Sequence, residues 1–262
     1  MEITDLHIPK TKTLRLCAFA VKTLFLFVVF APIISSCKKE NMGDCFKSTG
    51  DIAIEYRTLA AFDTIQAHDN ICVFLTADTF FEIKIEAGEN LIPLIKTEVK
   101  DNKLIIKNDN TCNWVRSFTT PVNVHITMPS PGGLINEGTS PITSVNAIKD
   151  RTLLIKMTSS GDMNLQLDIP HLLGNLSACE GNLNLSGSCD LFEVFFIGTS
   201  IIEASNLSVE RAYIETSGTG DFHLNVSQEI GAKIDWIGNV YYKGTAVEAY
   251  AEYTSSGRII KI

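Results

Sequence analysis

Short runs in which apolar and polar residues alternate dominate the first half of the chain. A period of two places apolar side chains on one face of a β-strand and polar side chains on the other. The pattern permits a short helix in only one segment, residues 90–99, where Pro93 would occupy the first turn. The strands predicted in this half are residues 71–75, 81–85, 104–107 and 122–126.

A second regularity begins near residue 136. A small residue, a polar residue and an apolar residue recur in that order, with some latitude, at intervals of 21, 20, 19, 20, 18 and 19 residues. So narrow a spread indicates one structural unit of about 20 residues that repeats along the chain. The seven triplets begin at Ser140, Gly161, Gly181, Ser200, Gly220, Gly238 and Gly257.

Each triplet opens a strand of period two, and this alternation predicts the direction of every side chain. The side chains expected to point inward are Met163, Leu165, Leu167, Leu183, Leu185, Ile202, Ala204, Phe222, Leu224, Val226, Val240 and Tyr242. The side chains expected in outward rows are Asn164, Asn184, Glu203, His223 and Tyr241, with Gln166, Ser186, Ser205, Asn225 and Lys243.

These features predict an all-β fold, a parallel β-helix (β-solenoid) with coils of about 20 residues. Each coil would contain about three short strands, stacked about 4.8 Å from the next coil in parallel ladders. The small residue of each triplet would form a tight corner, which needs either a positive φ or close backbone approach. The period of two excludes a helical solenoid, and a propeller blade needs about 40 to 45 residues. A β-sandwich with evenly spaced turns is the alternative.

The N-terminus has the organisation of a signal peptide. Four basic residues precede an apolar run at residues 24–34, which is about half the length that a membrane-spanning helix requires. The following Ile34-Ser35-Ser36-Cys37 resembles a bacterial lipobox, in which the cysteine is acylated and becomes the first residue of the mature protein. An ordinary secretory peptide in which Cys37 is incidental is the alternative.

This interpretation divides the chain into three parts. Residues 1–36 form the signal peptide, residues 37–57 the acylated cysteine and a tether, and residues 58–262 the folded head. Attachment to the outer membrane through Cys37 is therefore expected, with the head on its periplasmic or cell-surface side.

The net charge and the cysteine spacing limit the kinds of ligand that the chain is expected to bind. From Cys37 onward the chain carries 18 basic and 28 acidic residues, a net charge of −10, which disfavours nucleic-acid binding. Five cysteines remain after Cys37, at spacings that fit no zinc site, so buried free thiols are expected. They are Cys45, Cys72, Cys112, Cys179 and Cys189.

No catalytic, metal or cofactor site is expected. The histidines His68, His125, His171 and His223 are scattered, and the common nucleophile and phosphate-binding motifs do not occur. The chain is therefore predicted not to be an enzyme.

Two sets of residues are candidates for ligand binding. The corner series Asp162, Asn182, Asp221 and Asn239 would stack on one edge and form a cation or ligand ladder, although Asp and Asn also cap tight turns. The aromatic residues Trp236, Tyr241, Tyr250 and Tyr253 either contact a sugar or protein ligand or cover the last coil.

From about residue 57 to residue 262 the chain resembles the putative auto-transporter adhesin head GIN domain. The resemblance implies a right-handed parallel β-helix and a role in the cell envelope, and it specifies neither a ligand nor catalytic residues. The chain departs from the family's Ser-Gly pattern at Ile201 and at Cys179-Glu180, which predicts irregular corners there. The segments that carry the resemblance are Phe62-Asp63-Thr64-Ile65, residues 85–91, residues 99–106 and residues 124–129.

Two functions are compatible with these features. The first is a non-enzymatic envelope lipoprotein with an adhesin-like head that binds a surface protein or polysaccharide or has a structural role. The second is a protein that binds or degrades polysaccharide with its acidic face, and degradation would require at least two carboxylates that converge in a groove.

Overall fold

A computed structural model describes residues 48–111 and 121–262. The signal peptide, Cys37 and most of the tether lie outside the described residues. The strands are β1 (Ile52–Arg57), β2 (Thr64–Asp69), β3 (Ile71–Ala77), β4 (Glu82–Gly88), β5 (Ile95–Lys100), β6 (Lys103–Asn108), β7 (Val122–Met128), β8 (Gly133–Gly138), β9 (Ile142–Ser144), β10 (Ile148–Lys149), β11 (Leu153–Met157), β12 (Met163–Cys179), β13 (Leu183–Gly198), β14 (Ile202–Thr216), β15 (Phe222–Ile234), β16 (Val240–Lys243), β17 (Val247–Tyr253) and β18 (Ile259–Lys261).

The repeat region forms the predicted β-solenoid. The first apolar residue of each triplet pairs in parallel with the equivalent residue one coil away, which confirms the register. A β-sandwich is excluded because these ladders are parallel and join consecutive coils. The paired residues are Ile142, Met163, Leu183, Ile202, Phe222, Val240 and Ile259, and all but the last are fully buried.

Each coil has three faces. Strands β9, β10 and β11 pair with successive thirds of β12, and they define the first, second and third faces. The coil from β9 to β11 therefore contains the three short strands that were predicted. In β12 to β15 the pairing continues past the boundaries between the three faces, so that each coil is one strand of 13 to 17 residues.

The inward directions in the repeat are as predicted, and the outward rows are as predicted except at Ser205, whose expected place opposite Ser186 is taken by Asn206. Every residue expected to point inward is buried, with at most 6% of its surface exposed. These side chains join the apolar residues of β2 to β8 in one continuous core. Burial of this apolar stripe is the main favourable contribution to folding.

The corner glycines touch the backbone of the preceding coil. A Cβ atom on Gly181 would collide with the carbonyl oxygen of Gly161, and one on Gly220 would collide with that of Ser200. None of the five corner glycines has a positive φ, so close approach of the backbones explains their presence. The irregular corner expected at Cys179-Glu180 is confirmed, because Ala178 has φ of 54° and the pairing with β13 skips a residue there.

Coils at the N-terminal end do not follow chain order. On the first face β7 lies between β3 and β4, and on the third face β6 lies between β5 and β2. Strands β1, β4 and β5 run antiparallel to their neighbours and close this end of the stack. The four strands predicted in this half lie within β3, β4, β6 and β7, apart from Phe81, which precedes β4.

Two expectations are corrected at this end. Residues 52–57, assigned to the tether, form β1, which pairs along its whole length with β4. Arg57 anchors this strand, because its guanidinium donates hydrogen bonds to the carbonyl oxygens of Ile92 and Ile95. The helix permitted at residues 90–99 is only a 3₁₀ turn at Ile92–Leu94 that contains Pro93, because the following residues pair with β6 as β5.

Candidate functional site

From β12 to β16, one outward row on the first face consists of polar and aromatic side chains. Asn164, Asn184, Glu203, His223 and Tyr241 occupy equivalent positions on β12 to β16. The Asn184 amide nitrogen donates to the Asn164 amide oxygen at 2.8 Å. The His223 and Tyr241 rings are stacked with centroids 5.3 Å apart. The parallel register therefore turns five separate sequence positions into one continuous row.

A shallow groove, here called the polar groove, lies beside this row. Its volume is about 440 Å³ and it extends from β9 to β14. It contains amides, hydroxyls and one carboxylate, which together donate and accept hydrogen bonds. The residues that line it are Thr143, Ser144, Val145, Asn164, Leu165, Gln166, Asn184, Leu185, Ser186, Glu203 and Asn206.

A bulge in β14 shapes one end of the polar groove. The pairing of β13 with β14 skips a residue, so that Ser186 lies opposite Asn206, and the pairing of β14 with β15 also skips between Ala204 and Ser208. The extra residues interrupt the regular row and bring Asn206 into the groove. Bulges of this kind redirect side chains beside binding sites.

Glu203 contributes a negative charge to the polar groove. Its carboxylate accepts a hydrogen bond from the Ser205 backbone N–H at 3.0 Å. Burial raises the pKa of Glu203, but hydrogen bonds from Ser205 and the nearby His223 and Lys243 outweigh burial and hold the pKa below its ordinary value. The group is therefore a charged acceptor at neutral pH.

The two aspartates of the corner series do not lie in the polar groove. Asp162 and Asp221 lie at corners three coils apart, and neither lines the groove. Among the described residues that line it, Glu203 is the only carboxylate. Hydrolysis of a glycosidic bond ordinarily uses two carboxyl groups about 5 to 10 Å apart. The lining residues of the polar groove do not supply such a pair.

The corner series lies on one edge, as predicted, but its oxygens already accept hydrogen bonds. The Asp162 carboxylate accepts from the Asn182 backbone N–H at 2.7 Å, and the Asp221 carboxylate accepts from the Asn239 backbone N–H at 2.7 Å. The Asn182 and Asn239 amide oxygens accept in the same way from the next corner, at Ile201 and Arg258. No cluster of three potential metal ligands occurs in residues 48–111 and 121–262. This geometry favours the turn-capping interpretation of the series.

The described cysteines are free thiols in the head. Cys179 and Cys189 are buried free thiols, as expected, whereas the free thiol of Cys72 is only half-buried. Cys45 and Cys112 lie outside the described residues. Burial raises the pKa of Cys179, and it raises the pKa of Cys189 to about 11. Both thiols therefore remain protonated and unreactive at neutral pH.

The four histidines are also separate from one another. His68, His125 and His171 each lie near a different carboxylate, and the closest contact joins His171 Nε2 to the Glu193 carboxylate at 2.7 Å. His223 stacks on Tyr241.

The C-terminal aromatic residues do not form one surface. Tyr241 lies on the first face, whereas Tyr250 lies on the third face beside Tyr213, with ring centroids 6.2 Å apart. Tyr253 lies under the Arg258 guanidinium at 4.8 Å, and Trp236 is exposed. The sequence did not predict that Tyr213 and Phe195 line the same groove as Tyr250. The reason is that the third-face strands lack a clear alternation of apolar and polar residues.

If the corner side chains act only as caps, calcium will not stabilise the head. We expect thermal unfolding midpoints in millimolar calcium and in chelator to agree, while Asp162→Ala destabilises the protein by about 1 kcal/mol because a backbone N–H loses its acceptor. Asp162→Asn, which retains the acceptor, is the matched control. A calcium-dependent rise in the midpoint that Asp162→Ala abolishes would instead establish a cation ladder.

Comparison with known proteins identifies the architecture. The family model described as "Putative auto-transporter adhesin, head GIN domain" matches residues 61–246. Among curated proteins, none is similar enough to the chain to count as a relative. Solved structures match closely in fold at low sequence identity, and at such identities the likeness shows the fold alone.

Three of these structures illustrate the likeness. A putative adhesin from Bacteroides fragilis is 22% identical with a TM-score of 0.72, and the match covers 82% of this chain and 100% of that chain. A putative adhesin from Parabacteroides distasonis is 15% identical with a TM-score of 0.64, covering 82% and 99%. A putative lipid binding protein from the same species is 18% identical with a TM-score of 0.60, covering 82% and 100%.

Proposed function

This chain belongs to the family of putative auto-transporter adhesin head GIN domains, and we propose that it is a non-enzymatic envelope lipoprotein whose β-helical head binds an extended partner. Solved structures of the same fold include proteins described as putative adhesins. Membership of this adhesin-like family supports a location outside the cell or at its surface. Attachment to the membrane through a lipid on Cys37 is the more specific part of the proposal.

The polar groove is the observation that carries the binding role. It spans the coils from β9 to β14 and presents hydrogen-bonding groups on a rigid backbone. Successive coils repeat these groups about every 4.8 Å along the axis. A surface of this kind suits many weak contacts with a long molecule better than one deep pocket does.

The proposed lipid anchor at Cys37 is supported by the sequence that precedes the head. Within the described residues, no helix is both long and apolar enough to span a bilayer. Ten residues separate Cys37 from Ser48, whose carbonyl oxygen already accepts a hydrogen bond from the Asn90 amide of the head. A fully extended segment of ten residues would reach about 35 Å, so a head attached through Cys37 has room to stand clear of the membrane.

Acylation of Cys37 is tested by metabolic labelling with a palmitate analogue. We expect the wild-type chain to take up the label and Cys37→Ser to lose it completely, because the thiol is the acceptor. Cys17→Ser, which alters a cysteine within the signal peptide, is the matched control and should remain labelled. Labelling that persists in Cys37→Ser would exclude the lipid anchor.

Polysaccharide binding in the polar groove is the more specific candidate. The Asn164 and Asn184 amides lie in contact one coil apart, and Gln166 and Glu203 extend the same hydrogen-bonding surface. Amide and carboxylate groups bind pairs of sugar hydroxyls, since each group offers more than one polar atom. The single carboxylate among the lining residues favours binding over degradation.

Affinity electrophoresis in gels that contain neutral or acidic polysaccharides tests this candidate. We expect a polysaccharide that retards the wild type to bind Asn184→Ala and Glu203→Gln about fivefold more weakly, since each change removes one or more hydrogen bonds. Gln228→Ala removes an exposed amide outside the polar groove and should bind like the wild type. Equal retardation of all three variants would place the binding surface elsewhere.

A further inference from the structure

A second groove runs along the third face of the coil. Its volume is about 360 Å³, and it lies between two outward rows that are two residues apart on each strand. Gly174, Val194 and Ile214 form its floor, and the side chains of Val194 and Ile214 are buried in the core. This groove belongs to a different face from the polar groove, so its role does not rest on the function proposed above.

Aromatic and acidic side chains alternate along both walls. Glu193 and Phe195 lie across the groove from each other on β13, and Tyr213 and Glu215 do so on β14. The register pairs Glu193 with Tyr213 and Phe195 with Glu215. On β13 and β14 each wall therefore has one aromatic ring and one carboxylate, and like groups lie diagonally opposite. We call this arrangement the aromatic-acidic groove.

Tyr250 extends the aromatic part of the groove by two coils. The intervening Gly231 has no side chain, and the Tyr250 ring covers it, so that a Cβ atom there would collide with the ring. This lets the Tyr250 ring approach the Tyr213 ring, nearly parallel to it at 6.2 Å. The Tyr213 hydroxyl donates to the Glu229 carboxylate at 2.8 Å, which fixes the orientation of the ring.

The charged side chains that line this groove are both carboxylates, Glu193 and Glu215. Burial raises the pKa of Tyr250, and the charges of Glu252, Glu215 and Glu193 raise it further. His171 contacts Glu193 at 2.7 Å and Lys233 contacts Glu215 at 2.9 Å, but neither of these two side chains lines the groove. An anionic ligand would therefore meet two carboxylates and no lining cation.

We propose that the aromatic-acidic groove binds an organic cation, namely an alkylammonium or guanidinium group. The rings of Phe195, Tyr213 and Tyr250 line the groove, and an aromatic face attracts a positive charge through its quadrupole. The Glu193 and Glu215 carboxylates, although each also contacts a basic side chain, add an ionic attraction. A hard metal ion is disfavoured because it requires more oxygen ligands than two separated carboxylates offer, and no cluster of three ligands occurs in the described part of the chain. Such a cation has two possible sources. One is a small quaternary ammonium compound, and the other is a lysine or arginine side chain of a partner protein.

Calorimetric titration of the purified full chain tests the site and distinguishes the two sources. The probes are choline, its uncharged carbon analogue 3,3-dimethylbutanol, and short peptides that contain lysine or arginine. We expect choline or the basic peptides to bind and the uncharged analogue to bind at least about tenfold more weakly, because the attraction depends on the charge. Binding of the peptides without choline identifies a partner protein as the source, and binding of choline identifies a small cation.

Variants locate the binding in this groove. Phe195→Leu removes an exposed ring, and Glu215→Gln removes a charge while it preserves the shape of the side chain. Each should weaken cation binding about tenfold, and a rise in salt concentration should weaken binding by the wild type. Phe80→Leu and Glu180→Gln alter an exposed ring and an exposed charge outside the groove and should bind like the wild type. The proposal is overturned if no cationic probe binds, if the uncharged analogue binds equally well, or if the groove variants retain full affinity.

Discussion

Close contact between backbones at the coil corners is the constraint on which this structure depends. Gly181 lies against the Gly161 carbonyl and Gly220 against the Ser200 carbonyl, with no room for a Cβ atom on either glycine. Directly after the corner, the backbone N–H of Leu183 donates to the Ile201 carbonyl oxygen of the next coil. The corner thus sets the height of each coil and the residue at which its ladder begins.

The residues exposed on the surfaces of the head are determined by the pairing register of the coils. A shift of one residue would expose Leu183 and bury Asn184, and the same reversal would affect every coil in contact. With the register set, polar positions about 20 residues apart become neighbours, and two outward rows on one strand become the walls of a groove. The polar groove and the aromatic-acidic groove arise in this way on different faces of the coil, and their chemistry differs because their outward residues differ.

The repeat could be predicted almost residue by residue, whereas the N-terminal end could not. From Ser140 onward each coil follows the one before it in chain order, so that the stacking is visible as a sequence interval. Before that point β7 lies between β3 and β4, so spatial neighbours are distant in the chain and no interval appears. Strand β1 was missed for a related reason. Its partner β4 is not adjacent in sequence, and its large apolar residues Ile52 and Ile54 remain exposed.

The candidate sites could be predicted only in part. The period of two in the sequence predicted the row that contains Asn164 and Asn184. The groove beside this row depends on the bulge in β14, and no local sequence pattern predicts that bulge. The corner series was correctly placed on one edge, although its oxygens accept backbone hydrogen bonds. On the third face, apolar residues such as Leu173 and Phe195 point outward, so hydrophobicity alone did not reveal which side chains line a groove.

The unfolding free energy of Gly220→Ala tests most directly whether the corners hold the stack together. Since the added methyl group would collide with the Ser200 carbonyl, we expect a loss of about 1–3 kcal/mol relative to the wild type in urea titrations. Thr219→Ala changes the neighbouring exposed residue and should alter the stability by less than about 0.5 kcal/mol. A Gly220→Ala variant as stable as the wild type would show that the coils do not approach each other in this way, and the register from which both grooves derive would then be wrong.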